Sequence, residues 1–511
     1  MTAVDLRLVP AAATSWAVTA AGILWLLPGA VVASVIAVVS AAVAGWWGAR
    51  RRTPTAGGTA GGRNPAATDR PIGGAGGHRG APTLGLAAVV LVGVAFALAI
   101  TLRVDALGDH PVTGYFGAET SVVVTPTETP RVLQGGRTMI RGTLLTLDGV
   151  PSSGDVLVFA SGADYAALTA GQPARFRARV SPPKRRDLTV AVLSARGDPA
   201  RGEAAPIHQA AHRLRGRFAD AARLALPPDQ AAMVPALVLG DTSSVSTEVN
   251  SEFRKSGLTH LTAVSGANVT IVCGTVLLSA ALIGPRVAVG LAAVTLIGFV
   301  VVVQPSPSVL RAAVMGSITL LAVLSHRRRQ ALPALAATVI ALMIGAPELA
   351  VDIGFALSVA ATAALVVIAP GWSRRLVARG WPRPLADAVS VAIAAQLVTA
   401  PLIAGVSGSV SLVAVVANLL VAPVIPPITV IGTAAAALSA LWPAGAQLLI
   451  RFTGPEVWWL LAVARRTAQL PAAAVTVPSG FAGALTVAGV AVLTAAVWHW
   501  VVSPRRDTIV P

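Results

Sequence analysis

Cysteine is almost missing from this chain of 511 residues: there is one, Cys273, inside an apolar run. That excludes an internal disulfide, and a reactive thiolate is not expected in such surroundings. Charge is scarce as well. Only 12% of residues are Asp, Glu, Lys or Arg, far too few to cover the surface of a soluble protein of this length. The seven histidines form no dense cluster with aspartate. His208 and His212 share a helix face at i, i+4, but no glutamate lies between them as H-E-x-x-H requires. No metal site is expected. There is no Walker A lysine and no G-x-G-x-x-G opening a helix after a strand, so no ATPase and no cofactor is expected, and any transport draws its energy from elsewhere. A G-x-S-x-G elbow is also missing. Ser265 and His260 stand five residues apart, a spacing that does not favour contact on a regular helix. An intramembrane hydrolase is therefore a minor reading, and the chain is not expected to be an enzyme. No A-x-A site closes a short apolar region, so no cleavable signal peptide is expected.

What the chain has is hydrophobicity: 55% of residues, with a mean hydropathy of +0.73. Sustained runs of that kind belong to a lipid-embedded chain. The expected fold class is mainly α, polytopic transmembrane with about 12 helices, and one small extracytoplasmic β-barrel (OB-like) domain. Residues 1–49 read as a transmembrane hairpin of spans 14–29 and 31–48, turning at Pro28-Gly29. Residues 50–82, rich in Gly, Ala and Arg, read as a basic cytoplasmic linker. A membrane helix at 83–103 leads to the outer domain at 104–205, and residues 206–240 hold an amphipathic helix and connector. A transmembrane core at 241–442 follows, with spans near 262–283, 287–304, 308–325, 331–346, 352–370, 385–406, 409–425 and 427–442. Residues 443–480 read as an interfacial segment, and 481–511 as a last span, 483–503, with a cytoplasmic tail. Parity puts Arg286, His326 to Arg329, Arg374, Arg375, Arg379, Arg383 and Arg505-Arg506 on one side, and Glu348 and Asp352 on the other. The positive-inside rule makes the arginine side cytoplasmic, in a multi-pass protein of the cytoplasmic (inner) membrane.

In the outer domain, short alternating runs mark strands at 121–125, 138–142, 155–159, 175–180 and 188–193, at small-barrel spacing. Arg175, Arg177 and Arg179 fall on one strand face, opposite Phe176, Ala178 and Val180. Lys184, Arg185 and Arg186 follow, and Arg213 and Arg215 lie on the amphipathic helix. This basic stripe suits a phosphate backbone, and a solvated strand face is the plain alternative. The net charge of +17 likewise reads first as positive-inside loops with a codon bias toward arginine, then as an anionic partner such as nucleic acid or lipid.

Polar groups inside apolar segments are costly and must face protein or a wet cavity. His260, Ser265, Gly266 and Asn268 open one span; Arg311, Asp352, Ser358, Gln396 and Asn418 occupy others, and Pro401 and Pro423 interrupt helices. Close helix packing is the plain reading of Ser265 and Gly266, and snorkelling that of Arg311.

Five blocks in order resemble the ComEC competence proteins: Gly257 to Gly266, Ser308 to Ala313, Asp352 to Ala361, Ala395 to Pro401 and Ser411 to Pro423. The resemblance implies a channel that passes single-stranded DNA across the membrane in natural transformation, with the outer domain handling incoming DNA. It makes His260, Asn268, Arg311, Gln396 and Asn418 the leading path candidates. Asn268 stands where many members have histidine. Long members end in a metallo-β-lactamase-like domain, whereas this sequence shows no H-x-H-x-D-H motif before Pro511. The expected partners are single-stranded DNA, membrane lipids, and separate receptor, nuclease and motor proteins. The single cysteine excludes the disulfide of some outer domains in that family. A transporter of a smaller anionic or lipid-linked substrate, and a membrane scaffold, are the alternatives.

Overall fold

The computed structural model describes residues 6–25, 81–133, 135–324 and 330–502. The expected span 31–48, most of the linker 50–82, the cluster His326 to Arg329 and Arg505-Arg506 lie outside the described residues.

Helix α1 (Val9–Trp25) packs against α2 (Ala81–Gly108), which feeds directly into the β domain. Seven strands follow: β1 (Glu119–Pro126), β2 (Arg131–Val132), β3 (Arg137–Leu147), β4 (Val150–Pro151), β5 (Asp155–Ser161), β6 (Ala174–Ser181) and β7 (Ala191–Arg201). A single helical turn, α3 (Ala163–Ala166), sits between β5 and β6. Strands β1, β3, β5, β7 and β6 close in that order, with β1 pairing both β3 and β6. All these pairings are antiparallel except β5–β7. Numbering the five barrel strands one to five, the circuit is 1-2-3-5-4-1, the connectivity of an OB-type barrel. Alternation builds it. Valine, isoleucine and leucine occupy every second position, so Val122, Val124, Ile140, Leu144, Val156, Val158, Val180 and Leu193 fill the interior. Tyr165 from α3 plugs one end, edge-on to Phe176 with ring centroids 5.5 Å apart.

One strand runs further than its sequence suggests. The expected strand 188–193 is observed as β7, which continues to Arg201. Register shifts there, with Arg177 opposite Arg196 and Arg175 opposite Ala200. Gly197, at φ +67°, absorbs the extra residues as a bulge.

The helical body begins with α4 (Pro206–Ala225), α5 (Pro228–Leu239) and α6 (Thr247–Ser256). The expected connector thus contains the centre of the core: Met233, Val234 and Ala236 of α5 have no exposed surface. Around it stand α7 (Gly266–Ala280), α8 (Pro285–Val303), α9 (Pro307–Leu324), α10 (Ala331–Gly345), α11 (Ile353–Val367), α12 (Ala369–Val377) and α13 (Arg383–Ser407). After β8 (Ser409–Ser411) come α14 (Ala414–Val421), α15 (Ile425–Leu438), α16 (Pro443–Phe452) and α17 (Gly454–Ala468). Strand β9 (Ala474–Thr476) pairs with β8, and α18 (Phe481–Val502) packs on α13.

The described residues hold five helices long and apolar enough to cross a membrane, a sixth if a bent pair counts as one, and four shorter apolar helices. That bent pair corrects an expectation. Residues 409–425 and 427–442 are not two separate full-length spans; α14 and α15 are halves of one unit bent by 55°. Pro423 lies in the break and Pro426-Pro427 in the first turn of α15, where the missing N–H costs nothing. Pro401 does not interrupt its helix: α13 runs through it from Arg383 to Ser407.

Helix C-termini gather beneath the barrel, and arginines hold them there. The guanidinium groups of Arg186, Arg103, Arg215 and Arg217 donate to the carbonyls of Leu24, Ile344, Val302 and Ala440, at or just past the ends of α1, α10, α8 and α15. Orphan carbonyls and the negative end of the helix dipole both favour such a cation. Arg286 opens α8 at its far end, and Arg374, Arg375, Arg379 and Arg383 flank the turn between α12 and α13.

Candidate functional site

The polar residues singled out by sequence fall into two groups, and the segment between α6 and α7 borders both. The first surrounds Arg311, in the opening turns of α9. This residue is 7% exposed. Its Nε donates to Ser358 Oγ of α11 at 2.7 Å, and its Nη1 lies 3.8 Å from Met315 Sδ. Among the described residues no carboxylate pairs with it. Gly266 opens α7 beside it, and a Cβ there would stand 2.5 Å from Arg311 Nη2. The glycine therefore makes room for the guanidinium. The positive end of α7 and a buried arginine face the same space, an arrangement suited to an anion.

Ser265 and Asn268 belong to this group as structural parts. Ser265 Oγ caps α7 by accepting from Asn268 N, and it donates to Asn268 Oδ1 at 3.2 Å. Asn268 Nδ2 donates to Leu237 O at 3.0 Å, satisfying a carbonyl in the last turn of α5. Asn268 is thus a cap between helices. His260 makes no bond with Ser265; it sits exposed on a turn of 3-10 helix, Thr259–Leu261. Asp352 caps α11, accepting from Phe355 N at 2.8 Å.

The second group lies where residues 257–260 meet β8 and α14. Gly257, at φ +74°, packs so tightly that a Cβ would come within 2.5 Å of Ala414 Cβ. Ser411 Oγ donates to Lys255 O, and Gln396 Nε2 donates to Ser411 O at 3.3 Å. Asn418 Nδ2 bonds only within its own helix, to Ala414 O. Gln396 thus holds α13 against β8, and Arg311 and Gln396 are not neighbours in one ring.

On the barrel, Arg175, Arg177 and Arg179 point outward while Phe176, Ala178 and Val180 point in. Lys184, Arg185 and Arg213 are exposed. Two of the basic candidates have other work. Arg186 caps α1, as described above. Arg215 is buried between Val302 O and Asp241, its Nη2 lying 3.7 Å from the carboxylate. Burial pulls its pKa below the usual arginine range, and Asp241 pushes back.

Sequence reasoning missed the opposite wall. In an OB barrel, the faces of the second and third strands and the loops joining strands one to two and four to five take the ligand. Here those strands are β3 and β5. Arg137, Met139 and Arg141 face outward on β3, paired in register with Ser161, Phe159 and Leu157 on β5. Arg137 lies over the Phe159 ring at 5.3 Å from its centroid. An aromatic beside two arginines, one of them 3.7 Å from Glu128, is the kind of surface that can take a nucleic-acid base. The alternation of Arg137 and Arg141 was the signal that could have revealed it. The loop joining β6 to β7 supplies Lys184 and Arg185.

The comparisons fit this architecture. Residues 237–502 match the family described as Competence protein. Over 206 residues the chain is 30% identical to ComE operon protein 3 of Bacillus subtilis (strain 168), covering 39% of this chain and 25% of that protein. The match thus spans a quarter of that relative's length. No solved structure matches. The matched region holds α7 to α18, and with them both polar groups and the α13–α18 pair: the chain belongs to the Competence protein family.

Proposed function

We propose that the chain is a multi-pass protein of the cytoplasmic membrane that passes single-stranded DNA inward, with the barrel on the outer side. The observation that carries the reading is Arg311. A guanidinium withdrawn from water without a carboxylate is costly, and such residues in apolar helices mark an ion or substrate route. A DNA strand brings one negative charge per nucleotide and cannot cross hydrocarbon unaided.

The parts divide by position. Phe159 with Arg137 and Arg141, and the loop bearing Lys184 and Arg185, gather the strand at the barrel. Arg311 with Ser358, beneath the barrel, meets phosphates as they enter the helical body. Gln396 and Asn418 line the region around the bent α14–α15 pair. The arginines flanking the α12–α13 turn lie on the cytoplasmic side, as the charge rule requires. The chain itself does no bond chemistry in this scheme. The scheme gives the receptor and motor roles to partner proteins.

The test is the double substitution Arg311→Ala with Gln396→Ala. Uptake of labelled DNA into the cytoplasm falls to background while membrane abundance of the protein is unchanged. Normal transformation by that variant would remove the passage from this part of the molecule.

A further inference from the structure

A cavity of about 440 Å³ opens where the barrel meets the helical body, between α4, α5, the end of α8 and the barrel residues 166–170. It lies apart from Arg311 and from the Phe159 face. Its size falls in the usual range for small-molecule sites, about 300–1,000 Å³. One wall is smooth and apolar: Ala166 to Ala170 apart from Thr169, facing Ala231 and Ala232. The other is polar and comes from α4, where His208, His212 and Arg215 share one face at helical spacing.

Charge across the cavity is only half balanced. Among the described residues Asp241 is the single acidic one lining it. One of its oxygens, Oδ1, accepts from both the backbone N–H and the hydroxyl of Ser243, the latter at 2.6 Å. The other, Oδ2, reaches Arg215 at only 3.7 Å, too long for a hydrogen bond. Arg215 is therefore a buried cation held by one long ion pair to Asp241 and by the hydrogen bond from its Nη1 to Val302 O. Arg223, at the rim, pairs with Asp220. The barrel stretch and the end of α8 contribute no charge. The walls are held by Gln304, whose side chain exchanges hydrogen bonds with Thr129 at 3.0–3.2 Å. Gln304 keeps φ at +73°, a conformation that costs a non-glycine residue about 1–3 kcal/mol. Gly171, at φ +78°, lets the His208 ring lie flat against the barrel, since a Cβ there would come within 2.5 Å of it.

We infer that this cleft binds a nucleoside monophosphate, its base against the alanine wall and its phosphate on His208, His212 and Arg215. The inference does not rest on the passage of DNA through the helical body. A protonated imidazole holds a phosphate better than a neutral one, so binding at two histidines weakens as pH rises.

Titration calorimetry on the full chain in detergent tests this with deoxyadenosine 5′-monophosphate, deoxyadenosine and inorganic phosphate, at pH 6 and pH 8. The nucleotide binds at pH 6 and at least about fivefold more weakly at pH 8; the nucleoside and the free phosphate each bind more weakly than the nucleotide. The pair His208→Ala with His212→Ala removes the difference between the two pH values. Ala232→Phe fills the cleft without touching the charged groups, and abolishes binding. Nucleotide binding that survives Ala232→Phe, or is equally tight at both pH values, overturns the site. Phosphate binding as tightly as the nucleotide overturns the base pocket, and nucleoside binding as tightly overturns the phosphate contact.

Discussion

Replacing Arg311 with methionine separates a residue kept for passage from one kept for packing. On the insertion scale an arginine costs at most about 2.5–3.5 kcal/mol, the figure for the centre of an apolar helix, and Arg311 lies in the opening turns of α9. Its visible compensation is the hydrogen bond to Ser358 Oγ at 2.7 Å, and a bond to a charged group contributes about 1.5–3 kcal/mol. The two nearly cancel. Methionine fills the same volume beside Met315 and leaves Ser358 able to bond its own helix. The Arg311→Met variant should therefore be neutral or up to about 2 kcal/mol more stable by these magnitudes, as judged by thermal unfolding in detergent. DNA uptake should nevertheless be lost. If Arg311 were instead half of a structural ion pair, the same change would destabilise by about 3–5 kcal/mol. A variant that is strongly destabilised, or one that still takes up DNA, refutes the reasoning.

Three further outcomes are expected. Phe159→Ala should weaken binding of single-stranded oligonucleotide to the full chain by roughly tenfold or more, since a stacked base contributes about 1–3 kcal/mol; Arg175→Ala, on the far face, should lower affinity less, and filter binding at fixed salt compares the two. Tyr165→Phe should raise the melting temperature, because the Tyr165 hydroxyl is buried without a partner and its pKa is pushed up to about 12, first by burial and then by Asp198. Asp155→Asn should stabilise the protein at pH 7. Burial raises the Asp155 pKa, with Asp187 adding to it, and Asp155 in turn helps raise Glu348 at the base of the barrel. A carboxyl whose folded pKa lies above its unfolded value binds more protons when folded, so stability falls as pH rises from the ordinary carboxylate value, 3.8, through the raised one. The variant should flatten that slope in melting curves taken between pH 4 and 7.

The barrel was legible because period-two alternation has one physical outcome when one face must be buried. Its strands fall within a few residues of expectation except β7, which runs on to Arg201 past a bulge at Gly197. Five of the expected spans were legible from length and hydropathy for the same reason, whereas the expected total of about 12 is not reached among the described residues. Helix α5 was not. A 12-residue helix buried on all sides shows no amphipathic period, and Pro235 in its middle disguises it further. The bent α14–α15 pair was missed because two short apolar runs divided by proline read as two spans. At the candidate site, sequence identified costly polar residues and could not tell lining from capping. Ser265, Asn268, Asp352, Arg186 and Arg215 satisfy helix ends, a role set by partners 31 or more positions away for three of them. Arg311 differs in having room, a buried position and, among the described residues, no opposite charge.

The most direct measurement is cytoplasmic uptake of labelled DNA in a strain lacking this chain, with and without the chain restored. The account predicts surface-bound but not internalised DNA in the deletion strain, with internalised single strands returning on complementation. Undiminished internalised DNA in the deletion strain would contradict it.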